Sequence, residues 1–145
     1  MSYLAFSEHF PKTAQREIPC LHNYDDDSFP RGEYQFEPLF CVECDCRRAF
    51  IQVAHEGFPN NHAATISHGW GSRSFYIRWF GSENQDILDD MMGIGFPAMK
   101  RQPKFADRLL EIYKEMVCSD PSYEKQLRQQ YSKFRKKMKR LSRSA

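Results

Sequence analysis

The sequence predicts an α+β fold: a small antiparallel sheet of about four strands in two hairpins, followed by two or three C-terminal helices. Three observations carry this. Apolar residues alternate with period two over residues 34–40. Strand formers crowd residues 49–54 and 73–80. After Gly81 the apolar spacing changes to steps of three and four. Strands followed by helices, without alternation, is the α+β order. The 145 residues, 41% hydrophobic and 28% charged, suit one domain over 1–145 and exclude a disordered chain.

Residues 1–33 lack periodicity and read as an irregular arm. Asp25, Asp26, Asp27 and Ser28 form a loop, and Pro30-Arg31-Gly32 suits a type I turn. Tyr34, Phe36, Pro38 and Phe40 then mark a strand. Pro38 cannot donate to a ladder, which predicts a sheet edge. A second strand, Ala49 to Ala54, returns after the cysteines and makes the first hairpin.

His55 to Asn61 is a loop. Ala63 to His68, a turn at Gly69-Trp70-Gly71-Ser72 and Arg73 to Phe80 predict the second hairpin, closing the β part over 34–80. Ser82 and Gln85 match a capping box that opens a helix running to Gly93. Gly93-Ile94-Gly95 reads as loop. Pro103 opens the next helix, and Asp120-Pro121 starts the last as N-cap and N1. The helical part spans 82–142.

Charge is uneven. Residues 1–60 carry ten acids against five bases, while residues 122–145 carry nine bases against one acid, Glu124. The basic end predicts an acidic partner or pairing with the acidic front. Residues 1–10 show no basic or apolar leader pattern, and no run approaches a membrane span. The expectation is a cytoplasmic protein with no membrane partner. Five cysteines in that setting argue against a disulfide framework.

The chemically specific stretch is Cys41-x2-Cys44-x-Cys46. Two thiolates at this spacing reach one tetrahedral metal from a tight turn, and Cys46 adds a third donor. Cys20 or His22 would supply the fourth and so clip the arm to the hairpin. Zn²⁺ is the default ion for such a sulfur-rich site. Arg47 and Arg48 are placed to offset its negative charge as outer partners. Inert buried thiols or a redox pair compete with this reading. No βαβ pattern surrounds the cysteines to support redox chemistry. A closed structural site is preferred over a catalytic one, because nothing specifies a water and a base. Cys118 reads as a packing residue.

Trp70, at the predicted hairpin tip, and Lys133, Arg135, Lys136, Lys137, Lys139 and Arg140, on the terminal helix, are candidate partner contacts. That helix carries a heptad-like seam of Leu127, Tyr131, Phe134, Met138 and Leu141, which also suits a homodimer. The leading expectation is a zinc-stabilised binding or regulatory module without catalytic activity. The second is nucleic-acid binding through the basic helix. The third is a metal- or thiol-dependent enzyme using the cysteines with His55, His62 or His68.

Overall fold

A computed structural model describes residues 2–59, 62–98 and 100–144. Its centre is the predicted first hairpin: β3 (Gly32–Cys41) pairs with β4 (Arg48–His55), setting Phe36 opposite Val53 and Phe40 opposite Ala49. Next to β4 lies β5 (Ala64–Gly69), and β6 (Gly93–Gly95) pairs with its end. Two short strands share the other edge of β3. β1 (Tyr3–Ala5) lies along residues 39–41 and β2 (Cys20–Asn23) along residues 32–35. Among the described residues the antiparallel sheet thus has six strands, more than the four expected.

Three expectations about elements are corrected. First, residues 1–33 are not an irregular arm. Besides β1 and β2 they form α1 (Phe6–His9) and α2 (Pro11–Glu17). Phe6 is fully buried against Phe10 and Phe40, at 4.9 and 6.0 Å between ring centroids. Such short elements are too brief to show a period, and tertiary packing holds them.

Second, β3 is not an edge strand. Phe36 donates its N–H to Pro19 on the β2 side. Alternate residues point the same way, so the nitrogen of Pro38 faces the gap between β2 and β1. The missing donor is accommodated there without costing a ladder bond.

Third, residues 73–80 form α3 (Arg73–Phe80), not a returning strand. Ser72 Oγ accepts the Phe75 N–H at 3.1 Å, and Gly81 closes the helix in the left-handed region at φ 79°. A serine N-cap and a glycine stop override the strand propensity between them. α4 (Gln85–Met91) follows, capped by Asn84 and not by Ser82.

α5 (Ala106–Ser119) and α6 (Pro121–Ser144) begin close to where the sequence places them. They cover one sheet face. Leu109 and Tyr113 of α5 and Leu127, Tyr131 and Phe134 of α6 bury Tyr34, Phe36, Phe40, Ile51 and Val53. Each large side chain so buried contributes about 1.5–3 kcal/mol. α3 and α4 close over the end of β4 and β5, with a small cluster of their own: Tyr76, Leu88 and Met91. The approach is tight at Gly69, where an added Cβ would lie 1.9 Å from the Met91 carbonyl oxygen.

Among the described residues, no helix is long and apolar enough to cross a membrane.

Candidate metal centre at the cysteine turn

β3 ends at Cys41 and β4 begins at Arg48, so the three thiols sit in and beside one tight turn. Cys44 Sγ lies 2.8 Å from Cys41 Sγ. Cys46 lies near enough to Cys44 to influence its thiol, so the three cysteines share one neighbourhood. Cys41 and Cys46 are each 1% exposed, whereas Cys44 is half-buried. Two oxygen donors stand at the margin: Glu43 Oε2 is 3.7 Å from Cys41 Sγ, and Tyr3 Oη is 3.6 Å from Cys46 Sγ.

Burial pushes the Cys44 thiol well up, and the neighbouring thiols add to this. Burial also raises Cys46, against opposing effects of Tyr3, Cys44 and Arg48. Neutral thiols are poor nucleophiles, so neither sulfur is primed for catalysis or exchange. A cation would invert that balance. Tetrahedral zinc with bonds of about 2.3 Å separates its sulfurs by about 3.8 Å. The 2.8 Å contact is shorter, so Cys44, on the open side of the turn, would swing outward to bind. Among the described residues, no three His, Cys, Asp or Glu side chains are arranged so that they could hold a metal ion.

The turn is held from three sides. Arg47 has φ 48°, a left-handed conformation that a non-glycine residue adopts only under constraint. Its N–H donates to Tyr131 Oη of α6 at 3.0 Å. Its carbonyl accepts from the Trp70 N–H at 3.0 Å and from Tyr76 Oη of α3 at 2.7 Å. Tyr131 in turn donates to Asp45 Oδ1 at 2.5 Å, and Arg135 reaches the same oxygen at 3.7 Å. From the N-terminal side, Val42 N–H donates to the Ser2 carbonyl and Ser2 N–H to Glu43, both at 2.9 Å.

Of the two arginines expected as outer partners, Arg48 is the one near the thiols. It lies close enough to Cys46 to favour the thiolate. The Arg47 guanidinium instead stacks on Phe75, 3.9 Å from the ring centroid. Cys20 and His22 do not join the cluster. They pair with Gln35 and Glu33, six and eight residues along β3 from Cys41. At about 3.4 Å per residue, that is roughly 20 Å or more away. Pairing with β3 orders this part of the chain without them. Cys118 is exposed, contrary to its reading as a packing residue.

Trp70 does not project from a hairpin tip. Its half-buried ring folds back, edge-on to Tyr131 at 5.0 Å. The three histidines lie apart. His55 Nε2 lies 2.7 Å from the Arg31 carbonyl, at the far end of β4 from the cysteines. His62 is in the preceding loop of β5. His68 is buried, with Nδ1 2.8 Å from Tyr113 Oη.

On α6, Arg135 and Lys137 turn inward, Lys137 donating to the His9 carbonyl at 2.7 Å. Lys133, Lys136, Lys139 and Arg140 are exposed. The sequence reading missed Tyr3, Asp45, Tyr76 and Tyr131. The one signal available was a tyrosine where the α6 seam would accept phenylalanine, since a buried hydroxyl needs a partner.

No protein-family model matches the chain, and no curated protein or solved structure matches it significantly.

Proposed function

We propose that the chain is a non-catalytic binding module whose cysteine turn is fastened by Zn²⁺ through Cys41, Cys44 and Cys46. The observation that supports this is the 2.8 Å approach of Cys44 to Cys41, with Cys46 two residues on from Cys44, in the turn to which β1, α3 and α6 are all bonded. A metal there stiffens the one loop on which three elements depend. Glu43 is positioned to be the fourth donor, with Arg48 offsetting charge beside Cys46.

Metal analysis of protein purified without added metal tests the reading. About one zinc per chain is expected. Cys41→Ser and Cys44→Ser should each lose the metal and lower Tm, because metal binding is coupled to folding. A metal-free chain with full Tm, and unchanged Tm in both variants, would sink the proposal.

A second reading has its own support. Lys133, Lys136, Arg140 and Arg143 are exposed and recur along α6 at steps of three, four and three, which makes one stripe. None has a carboxylate partner among the described residues. Such a stripe suits the phosphates of nucleic acid, bound without sequence preference. Four phosphate contacts predict a log–log salt slope of about −3 to −4 on duplex DNA. Absence of binding at low salt would remove this reading.

A further inference from the structure

Beside the cysteine turn, β1, β4, α3 and α4 enclose a cleft of 360 Å³. Trp79, Phe80, Ile87 and Met91 give it apolar walls, and Arg48 and Asp86 line it as well. Phe80 is 51% exposed at its mouth, unusual for a large aromatic.

Arg48 makes this more than a gap in packing. Its side chain is only 10% exposed. Nε donates to Ser67 Oγ at 2.8 Å, and Nη2 to the Asp90 carbonyl at 3.1 Å. The other terminal nitrogen, Nη1, has no acceptor among the described residues. No fully enclosed side-chain nitrogen or oxygen among them lacks a partner, so Nη1 keeps access through the wall that Arg48 forms. A guanidinium nine-tenths buried in the wall of a cleft, with one donor nitrogen unspent among the described residues, suits a carboxylate.

A simple anion would nevertheless be disfavoured, because Asp86 and Asp90 share the cleft. Asp90 is occupied: its Oδ1 accepts the Ala98 N–H at 2.7 Å, and its Oδ2 lies 3.8 Å from Arg48 Nη2. Asp86 is exposed and sits one helical turn before Asp90. Its carboxylate has no cationic partner among the described residues, and its Cβ lies about 6 Å from that of Asp90 on the same helix face. One positive and one spare negative group on a single small cleft with apolar walls suit a small apolar zwitterion.

We infer that the cleft binds an apolar α-amino acid, its carboxylate on Arg48, its ammonium on Asp86 and its side chain against Trp79, Ile87 and Met91. The volume lies at the small end of the range for ligand pockets, which suits a single amino acid. No thiol serves as an anchor, but Cys46 lines the same cleft and Arg48 enters both readings, so Asp86, which the metal reading does not use, is the residue that tells them apart.

Calorimetric titration of the full chain, as purified, tests it with L-phenylalanine and L-leucine. Two controls each lack one charge: 3-phenylpropionate and phenethylamine. At least one amino acid should bind, and both controls should bind at least about tenfold more weakly than L-phenylalanine. Asp86→Asn, a change at an exposed position, should weaken the amino acid at least about tenfold and should not weaken 3-phenylpropionate, whose repulsion it relieves. Arg48→Lys should weaken both. No binding of either amino acid up to about 10 mM would overturn the inference, as would equal binding of either control or an Asp86→Asn protein that binds as before.

Discussion

The two faces of the sheet are closed in different ways. On one, α5 and α6 lay a continuous aromatic and aliphatic layer over β3 and β4, and the contact is side chain on side chain. At the other end, α3 and α4 bury only Tyr76, Leu88 and Met91 fully, and they hold on through polar bonds: Tyr76 to Arg47, and Arg48 to Asp90. The first region is built for stability. The second leaves a cleft, a strained residue and a thiol cluster within one neighbourhood, and there the chain spends its polar groups on geometry. Stability and specific chemistry are therefore separable by mutation.

The largest effect should come from the stable face. Phe134 is fully buried, between Phe40 and His9 at 5.6 and 5.7 Å. Phe134→Ala removes a ring from a packed layer and should cost about 3–5 kcal/mol by denaturant unfolding. A loss under about 1 kcal/mol would show that α6 is not an integral part of the core.

At the other end, Gly69→Ala drives a methyl into the Met91 backbone, which cannot move like a flexible side chain. The expected cost is about 1–3 kcal/mol, with amide exchange quickening in α4 more than in α5. Uniform quickening would mean that the two regions open as one unit.

How much of this was legible depended on element length. The first hairpin and the long helices show their periods over seven or more residues, and the structure contains them. β1, α1, β2 and β6 are three or four residues each. No pattern fits into so few positions, and contacts with β3, β5 and α6 give them a reason to order. Residues 73–80 misled because Phe75, Ile77 and Trp79 alternate, whereas the caps Ser72 and Gly81 held the deciding information. At the site, spacing within Cys41–Cys46 was readable. The bonds of Tyr131 to Asp45 and Arg47, across more than eighty positions, were not.

Tyr131 joins the two regions, so its hydroxyl is the sharpest probe of their coupling. Tyr131→Phe keeps the ring against Phe40 and Trp70 but leaves Asp45 and the Arg47 N–H without their partner. About 1–3 kcal/mol should be lost. The exchange rate of the Arg47 amide should rise most. If that amide is unchanged, Trp70, Tyr76 and Ser2 hold the turn without Tyr131.

The smallest effect concerns His68, on β5 between the regions. Burial lowers its pKa from 6.5, and Glu124 opposes this at 3.6 Å from Nε2. Burial prevails because Glu124 is already bonded to Arg128 at 2.7 Å, and Arg128 itself lowers His68 further. Tyr113 and Trp70, the other groups against the ring, offer no charge. The imidazole is therefore neutral in the folded chain. As pH falls through 6.5, the unfolded chain takes up a proton before the folded one does. The stability tied to neutral His68 is thus complete above that pH and declines below it. His68→Gln, which can still accept the Tyr113 hydroxyl, should lose less Tm than the parent between about pH 7 and pH 5. Parallel declines would assign the acid sensitivity to other groups, and a steeper decline in the variant would mean that Glu124 prevails over burial.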